Sequence, residues 1–220
     1  QNYNSYTPVD GYLELKEAIC KKFHRDNKII YNPNQIVVST GAKQSIANVV
    51  QALIKPGEEV ILLAPFWVSY SAIVLMADGI PKILKSDISN DFKVSAKQID
   101  DAISEKTKMI IINSPNNPSG SIYNEKELYE IASVIKKYPN VFVLSDEIYE
   151  HINYGTKHVS FASIEGMYDR TVTVNGIAKA FAMTGWRIGY LGAPIWIAKA
   201  CTKLQGQVTS GANCIAQRAT

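Results

Sequence analysis

Lys179 has an unusual setting for a lysine, Gly176-Ile177-Ala178-Lys179-Ala180-Phe181-Ala182-Met183. Small and apolar neighbours can strip water from an amine. A desolvated amine gives up its proton more readily and can form an imine with an aldehyde. The same stretch also reads as an ordinary surface lysine. Arg187 lies downstream, and its planar fork can clamp a phosphate through two parallel hydrogen bonds or serve a structural ion pair. Asp146 follows the apolar run Val141–Leu144 and Ser145. At such a strand end it either faces solvent or, if buried, can hold a proton on a heteroaromatic ring nitrogen. Tyr149, one helical turn further, can hydrogen-bond a phenolic oxygen, whereas Glu147 and Glu150 read as solvated or ion-paired.

Two glycine- and asparagine-rich segments add polar groups. Gly41-Ala42-Lys43 falls between an apolar run and a helical one. The free amides of a helix start there can cradle a phosphate, although an ordinary helix start explains the residues equally well. It is neither a Walker loop nor a dinucleotide fingerprint. Asn116-Asn117-Pro118-Ser119-Gly120 is a dense turn signal, and an asparagine in a turn can still donate to a ligand oxygen. Asn113, just before it, reads as turn support. Trp67 after Pro65-Phe66 is either core or a flat face for a planar ligand. His24, His151 and His158 show no nucleophile or metal spacing, there is no G-x-S-x-G elbow, and no metal site is expected.

The elements that must position these groups alternate. Short apolar runs read as strands over 36–39, 59–63, 80–84, 108–113, 141–144, 171–174 and 188–191. Helices are expected over 42–54, 67–77, 96–103 and 195–204, with a further helical stretch from 212 to the end. Asp10 or Gly11 precedes another helix, whose apolar side is expected to carry Leu13, Ala18, Ile19 and Phe23. Asn124 with Glu127 forms a capping box for a helix carrying Leu128, Ile131, Ala132 and Ile135. Near-continuous apolar strands between helices imply an α/β, three-layer α/β/α architecture around a mostly parallel sheet. In such a sheet, sites gather beyond the carboxyl ends of the strands, where all four polar segments fall.

Composition narrows the function classes. A hydrophobic fraction of 46% supports a real core and excludes a disordered chain. A net charge of +3 gives no electrostatic case for nucleic acid. No apolar run is long enough to span a membrane. Cys20, Cys201 and Cys214 are odd in number and widely spaced, which argues against a disulfide scaffold and for a reducing, cytoplasmic setting. The chain starts at Gln1 rather than Met and its last helix looks unfinished, so a fragment is expected.

Taken in order, Tyr6-Thr-Pro-Val-Asp-Gly11, Gly41-Ala-Lys-Gln44, Ala64-Pro-Phe-Trp-Val-Ser-Tyr70, Asn113-Ser-Pro-Asn-Asn-Pro-Ser-Gly120, Ser145-Asp-Glu-Ile-Tyr-Glu-His151 and Asn175 to Gly189 resemble the class I/II pyridoxal-phosphate aminotransferases of fold type I. The bacterial-type aspartate aminotransferases are the nearest group. The resemblance covers almost the whole chain and departs at Ser119, where Thr is common. It implies that Lys179 is the Schiff-base lysine and proton shuttle, and that Asp146 pairs with the pyridine nitrogen. Tyr149 and Asn117 would bond the ring oxygen, Asn117 also the substrate carboxylate, and Trp67 would cover the ring. Gly41, Ala42, Lys43 and Arg187 would hold the phosphate, and Tyr6 would reach the phosphate of a neighbouring subunit in a homodimer.

The implied substrates are amino acids and 2-oxo acids, with aspartate and 2-oxoglutarate foremost. Residues 1–220 would be the large cofactor-binding domain, lacking an N-terminal arm and the small domain. Aromatic, alanine, glutamate–prephenate and methionine-handling transaminases share the constellation. A lyase or decarboxylase of the same fold, or a non-catalytic regulatory module, would retain much of it.

Overall fold

The structure, a computed structural model, describes residues 4–155 and 157–220. In chain order the elements are α1 (Leu13–Lys22), β1 (Ile36–Ser39), α2 (Ala42–Leu53), β2 (Glu59–Ala64), α3 (Ser69–Met76), β3 (Ile80–Lys85), α4 (Ala96–Ala102), β4 (Thr107–Asn113), α5 (Glu125–Lys136), β5 (Phe142–Asp146), β6 (Thr171–Gly176), β7 (Gly189–Gly192), α6 (Ile195–Val208) and α7 (Cys214–Ala219). The strands form one sheet in the order β1-β7-β6-β5-β4-β2-β3. β7 runs antiparallel to both its neighbours, and every other pairing is parallel.

Strand alternation sorts the core into layers, because successive side chains leave opposite faces of a strand. Val60, Leu62, Met109, Ile111 and Leu144 pack with α2, α3 and α6 on one face. Their neighbours Ile61, Ile110, Ile112 and Val143 pack with Leu128, Ile131 and Ile135 of α5 on the other. Both faces are apolar because both are covered, which is why these strands read as continuous hydrophobic runs. Ile110 is fully buried, and a residue of this size contributes about 1.5–3 kcal/mol by leaving water. Asn124 caps α5 as expected, with its side chain accepting from the Glu127 amide and Glu127 accepting from the Asn124 amide.

The expected face of α1 needs correction. Leu13 is exposed, while Leu15, Ile19 and Phe23 are buried against Tyr31, Ile36 and Tyr190. The helix then widens into a π-helical turn over Phe23–Asn27, ending at Lys28 in a left-handed conformation (φ 59°). That turn carries Asn27 inward. The described cysteines are free, and no described helix is long and apolar enough to cross a membrane.

Sheet register decides where the polar segments meet. Asn113, the last residue of β4, lies opposite Asp146, the last of β5, and Asp146 lies opposite Val174 of β6. Gly189 opens β7 and lies opposite both Gly176, the end of β6, and Ser39, the end of β1. Because β7 is reversed, the residues preceding it arrive at the edge where the parallel strands finish. Arg187 therefore reaches the same edge as Gly41, Asn113, Asp146 and Lys179.

Candidate active site

At this edge a cleft of about 180 Å³ is lined by Ala42, Lys43, Trp67, Asn117, Asp146, Tyr149, Lys179 and Arg187, together with Tyr70, Asn113 and Thr184. Gly41 lies directly beneath Arg187, and a Cβ on it would overlap the guanidinium. Tyr6 lies apart from the cleft and is 96% exposed.

One end of the cleft is built for an anion. Gly41 has a positive φ of 83° and starts α2, a conformation that glycine adopts without steric cost. The first amides of α2 have no intrahelical acceptor. Lys43 Nζ sits 4.7 Å from the centroid of the Trp67 ring. Arg187 is held in the left-handed region (φ 54°, ψ 47°), a conformation costing about 1–2 kcal/mol for a residue with a side chain. Its Nη1 donates to the Thr184 carbonyl at 2.8 Å. No acid pairs with it among the described residues, so the alternative of a structural ion pair does not apply. Two cations and a helix start thus line one cleft.

The other end holds a buried carboxylate. Asp146 is 3% exposed, which settles its position against a solvent-facing role. Tyr70 Oη donates to its Oδ2 at 2.6 Å, and the Ile148 amide donates to its Oδ1 at 3.2 Å. Burial pushes the Asp146 carboxyl up to about 6; the two hydrogen bonds pull it back in part, and the charge of Glu147 adds to the rise. Burial, then the same carboxylate, holds the Tyr70 phenol well above its ordinary value, so it stays a donor. A buried acid with two donors and charge to spare suits a cationic partner.

Between these ends lie the groups that could act on a ligand. Asn113 is indeed a support: its Nδ2 donates to the Asp146 carbonyl at 2.9 Å and its Oδ1 accepts from the Asn117 amide at 2.7 Å. Asn116 folds the following turn by accepting from the Ser119 amide and hydroxyl. The Asn117 side chain is left to face the cleft, with no protein partner among the described residues. Trp67 meets Tyr70 edge to face at 5.5 Å. Lys179 Nζ stands 5.6 Å from the centroid of the Tyr149 ring.

Three residues for which the sequence left alternatives open are decided here. Lys179 is exposed rather than enclosed, because Ile177 and Ala178 turn into the core while Phe181 points outward. Glu147 and Glu150 are not solvated; they are 1% and 7% exposed. Glu150 does form an ion pair, with Lys22, and Glu147 pairs with His158 at 3.0 Å. Ligand atoms of Glu147, Glu150 and His158 lie within 4.8 Å of one another, a spacing a metal ion can use. The Lys22 ammonium against Glu150 already supplies positive charge at that place. Sequence reasoning missed Tyr70. It stands one helical turn after Trp67, and that spacing was the signal that could have placed both rings beside the cleft.

The family model of class I and II aminotransferases matches residues 1–220. A bifunctional aspartate aminotransferase and glutamate/aspartate-prephenate aminotransferase of Petunia hybrida is 49% identical over 220 residues, covering 100% of this chain and 46% of the relative. An aspartate aminotransferase of Pinus pinaster is 49% identical over 219 residues, covering 99% of this chain and 44% of its own length. The crystal structure of the aspartate aminotransferase from Rhizobium meliloti superposes with a TM-score of 0.96 at 43% identity, over 98% of this chain and 54% of that one. The chain therefore spans about half the length of the relatives it matches.

Proposed function

Since the chain belongs to the class I and II aminotransferases, we propose that residues 1–220 are the large, cofactor-binding domain of a pyridoxal-phosphate-dependent aminotransferase. The favoured reaction moves the amino group of L-aspartate to 2-oxoglutarate, giving oxaloacetate and L-glutamate. What carries the reading is a single arrangement: an exposed lysine, a buried carboxylate and an arginine–lysine anion cradle converge on one cleft.

The residues fit the cofactor on their own chemistry. The missing Cβ at Gly41 lets the Arg187 guanidinium lie against the start of α2, beside the free amides that would receive a phosphate. Burial, only partly countered by two hydrogen bonds, raises the Asp146 carboxyl to about 6, a cost to the carboxylate of about 3 kcal/mol that a protonated ring nitrogen would offset. Bound pyridoxal phosphate supplies an electron-poor ring able to spread the charge left when a Cα proton departs. Lys179 would hold the aldehyde carbon, and its amine would carry the proton taken from the substrate Cα. Asp146 would keep the ring nitrogen protonated, and Tyr149 and Asn117 would donate to the ring oxygen. Asn117 would also receive the substrate carboxylate, while Trp67 would cover the ring and exclude water on that side. Arg187, Lys43 and the amides after Gly41 would hold the phosphate.

A homodimer with shared sites suits the exposed Tyr6, which has no role within its own cleft. A cytoplasmic location suits three free thiols. Prephenate as amino acceptor is the second substrate reading, favoured by the name of the Petunia relative. Half-reactions with single amino acids, and of the amino form with 2-oxoglutarate or prephenate, followed by the visible absorbance of the loaded protein, separate these readings. Rapid conversion by phenylalanine with none by aspartate would overturn the aspartate assignment. Borohydride reduction should fix the cofactor on Lys179; a label on another lysine would sink the whole reading.

A further inference from the structure

The turn after β5 has two sides. Asp146 and Tyr149 line the cleft, while the next residue along from each, Glu147 and Glu150, is buried in a polar layer behind it. Glu147 Oε1 accepts from Ser145 Oγ at 2.8 Å, Ser160 Oγ at 2.8 Å and the Phe161 amide at 3.2 Å. Its Oε2 faces His158 Nε2 at 3.0 Å and Asn27 Nδ2 at 3.4 Å. The Asn27 amide group spans both acids, since it also donates to Glu150 Oε2 at 2.7 Å. Lys22 Nζ donates to Asn27 Oδ1 at 2.7 Å and pairs with Glu150.

One carboxylate thus joins three separated parts of the chain: the end of β5, the segment around 158–161, and the π-helical turn over Phe23–Asn27. None of these contacts enters the cleft. A π-helical turn is a rare element that tends to persist where it places a particular side chain, and here it delivers Asn27 between the two acids. The Glu147 amide additionally donates to the Val174 carbonyl of β6 at 2.9 Å, so the turn is pinned from backbone and side chain together.

We propose that Glu147 is a positioning residue: anchored behind the sheet by Ser145, Ser160, His158 and Asn27, it fixes the turn that presents Asp146 and Tyr149 to the cleft. The proposal rests on the transaminase reading for its kinetic consequence but not for its structural one. A buried acceptor that satisfies several donors cannot be removed without leaving those donors unmet. The turn would relax, and misplacement by an ångström or less is enough to slow a positioned reaction by about tenfold to a hundredfold.

The test compares Glu147→Gln and Glu147→Ala with the wild-type protein. Gln keeps one oxygen for Ser145, Ser160 and the Phe161 amide, so it should be the milder variant. In the cofactor-free protein, amides of residues 147–150 should exchange about tenfold faster in Glu147→Gln and faster still in Glu147→Ala. In the loaded protein, the pH titration of the visible cofactor band should shift. The kcat should fall about tenfold for Gln and about a hundredfold for Ala, with the amino-acid KM changed much less. Ile131→Ala, in the core on α5, serves as the comparison: it lowers stability without touching the turn and should leave the band titration and kcat as they were.

Unchanged exchange, band titration and kcat in Glu147→Gln would overturn the proposal, and so would the same changes in Ile131→Ala. Should Glu147→Ala fail to fold, Glu147→Gln decides alone. A wild-type protein that takes up no cofactor would refute the functional reading, while exchange at 147–150 would still judge the anchor.

Discussion

Replacing Asp146 by Asn should stabilise the cofactor-free protein, and the gain should grow with pH. Burial raises the carboxyl from 3.8 to about 6, so the folded chain binds that proton more tightly than the unfolded chain. The stability tied to this proton is fully present below pH 3.8 and is lost as pH rises through about 6. Linkage puts the accumulated loss at about 1–2 kcal/mol at pH 5 and about 3 kcal/mol at pH 8. Asn escapes this loss but weakens the bond from Tyr70, at a cost of about 1 kcal/mol. The variant should therefore be close to the wild type at pH 5 and lead by about 2 kcal/mol at pH 8. For a domain of this size, the latter is a rise of roughly 4–8 °C in Tm.

Urea unfolding of both cofactor-free proteins at several pH values measures the gap directly, and the other titrating groups cancel in the difference. Adding pyridoxal phosphate should reverse the order, because only the wild-type carboxylate meets a cationic partner. A gap that stays constant from pH 5 to pH 8, or a variant less stable at pH 8, would refute the buried, strained charge on which the reasoning depends.

Three further outcomes follow from the geometry. Asn113→Leu removes the donor to the Asp146 carbonyl and the acceptor of the Asn117 amide; it should cost about 2–3 kcal/mol in a urea melt and weaken cofactor binding measured by fluorescence. Gly189→Ala would drive a Cβ into the Ala42 amide nitrogen, so it should cost several kcal/mol, on the scale of about 1–3 or more for overpacking, and reduce affinity for inorganic phosphate. For His158, burial opposes protonation, but the charge and hydrogen bond of Glu147 outweigh it and raise the imidazole above its ordinary value. The stability it lends is thus full below about pH 6.5 and fades as pH climbs through the raised value. The advantage of wild type over His158→Gln should accordingly shrink between pH 6 and pH 9; an advantage that grows would contradict the pairing.

Much of the fold was legible because its signals are local. Apolar runs such as Met109–Ile112 and the Asn124–Glu127 capping box act through neighbouring residues, so their pattern survives in one dimension. The strand at 188–191 was legible as a strand, but its direction was not. Nothing in Ile188-Gly189-Tyr190-Leu191 says that it runs antiparallel, yet that reversal is what brings Arg187 to the mouth of the cleft. Leu13 misled for the opposite reason. It satisfies the helical spacing, but the face of α1 that docks is chosen by Tyr31, Ile36 and Tyr190, residues remote in the chain.

The same limit explains the acids after β5. Asp146, Glu147 and Glu150 are chemically alike in sequence, and burial alone would make each costly as an anion. Their fates divide by the partners the fold delivers. Glu147 receives His158, Ser145 and Ser160, and these outweigh its burial and hold its carboxyl below the ordinary value. Asp146 receives only Tyr70 and one amide, and burial wins. The chain thus satisfies one buried carboxylate and leaves its neighbour short of positive charge, at the edge of a cleft. An acid left in that condition is an expense for a protein with no ligand to place there, and a preformed contact for one that binds a cation-bearing ring.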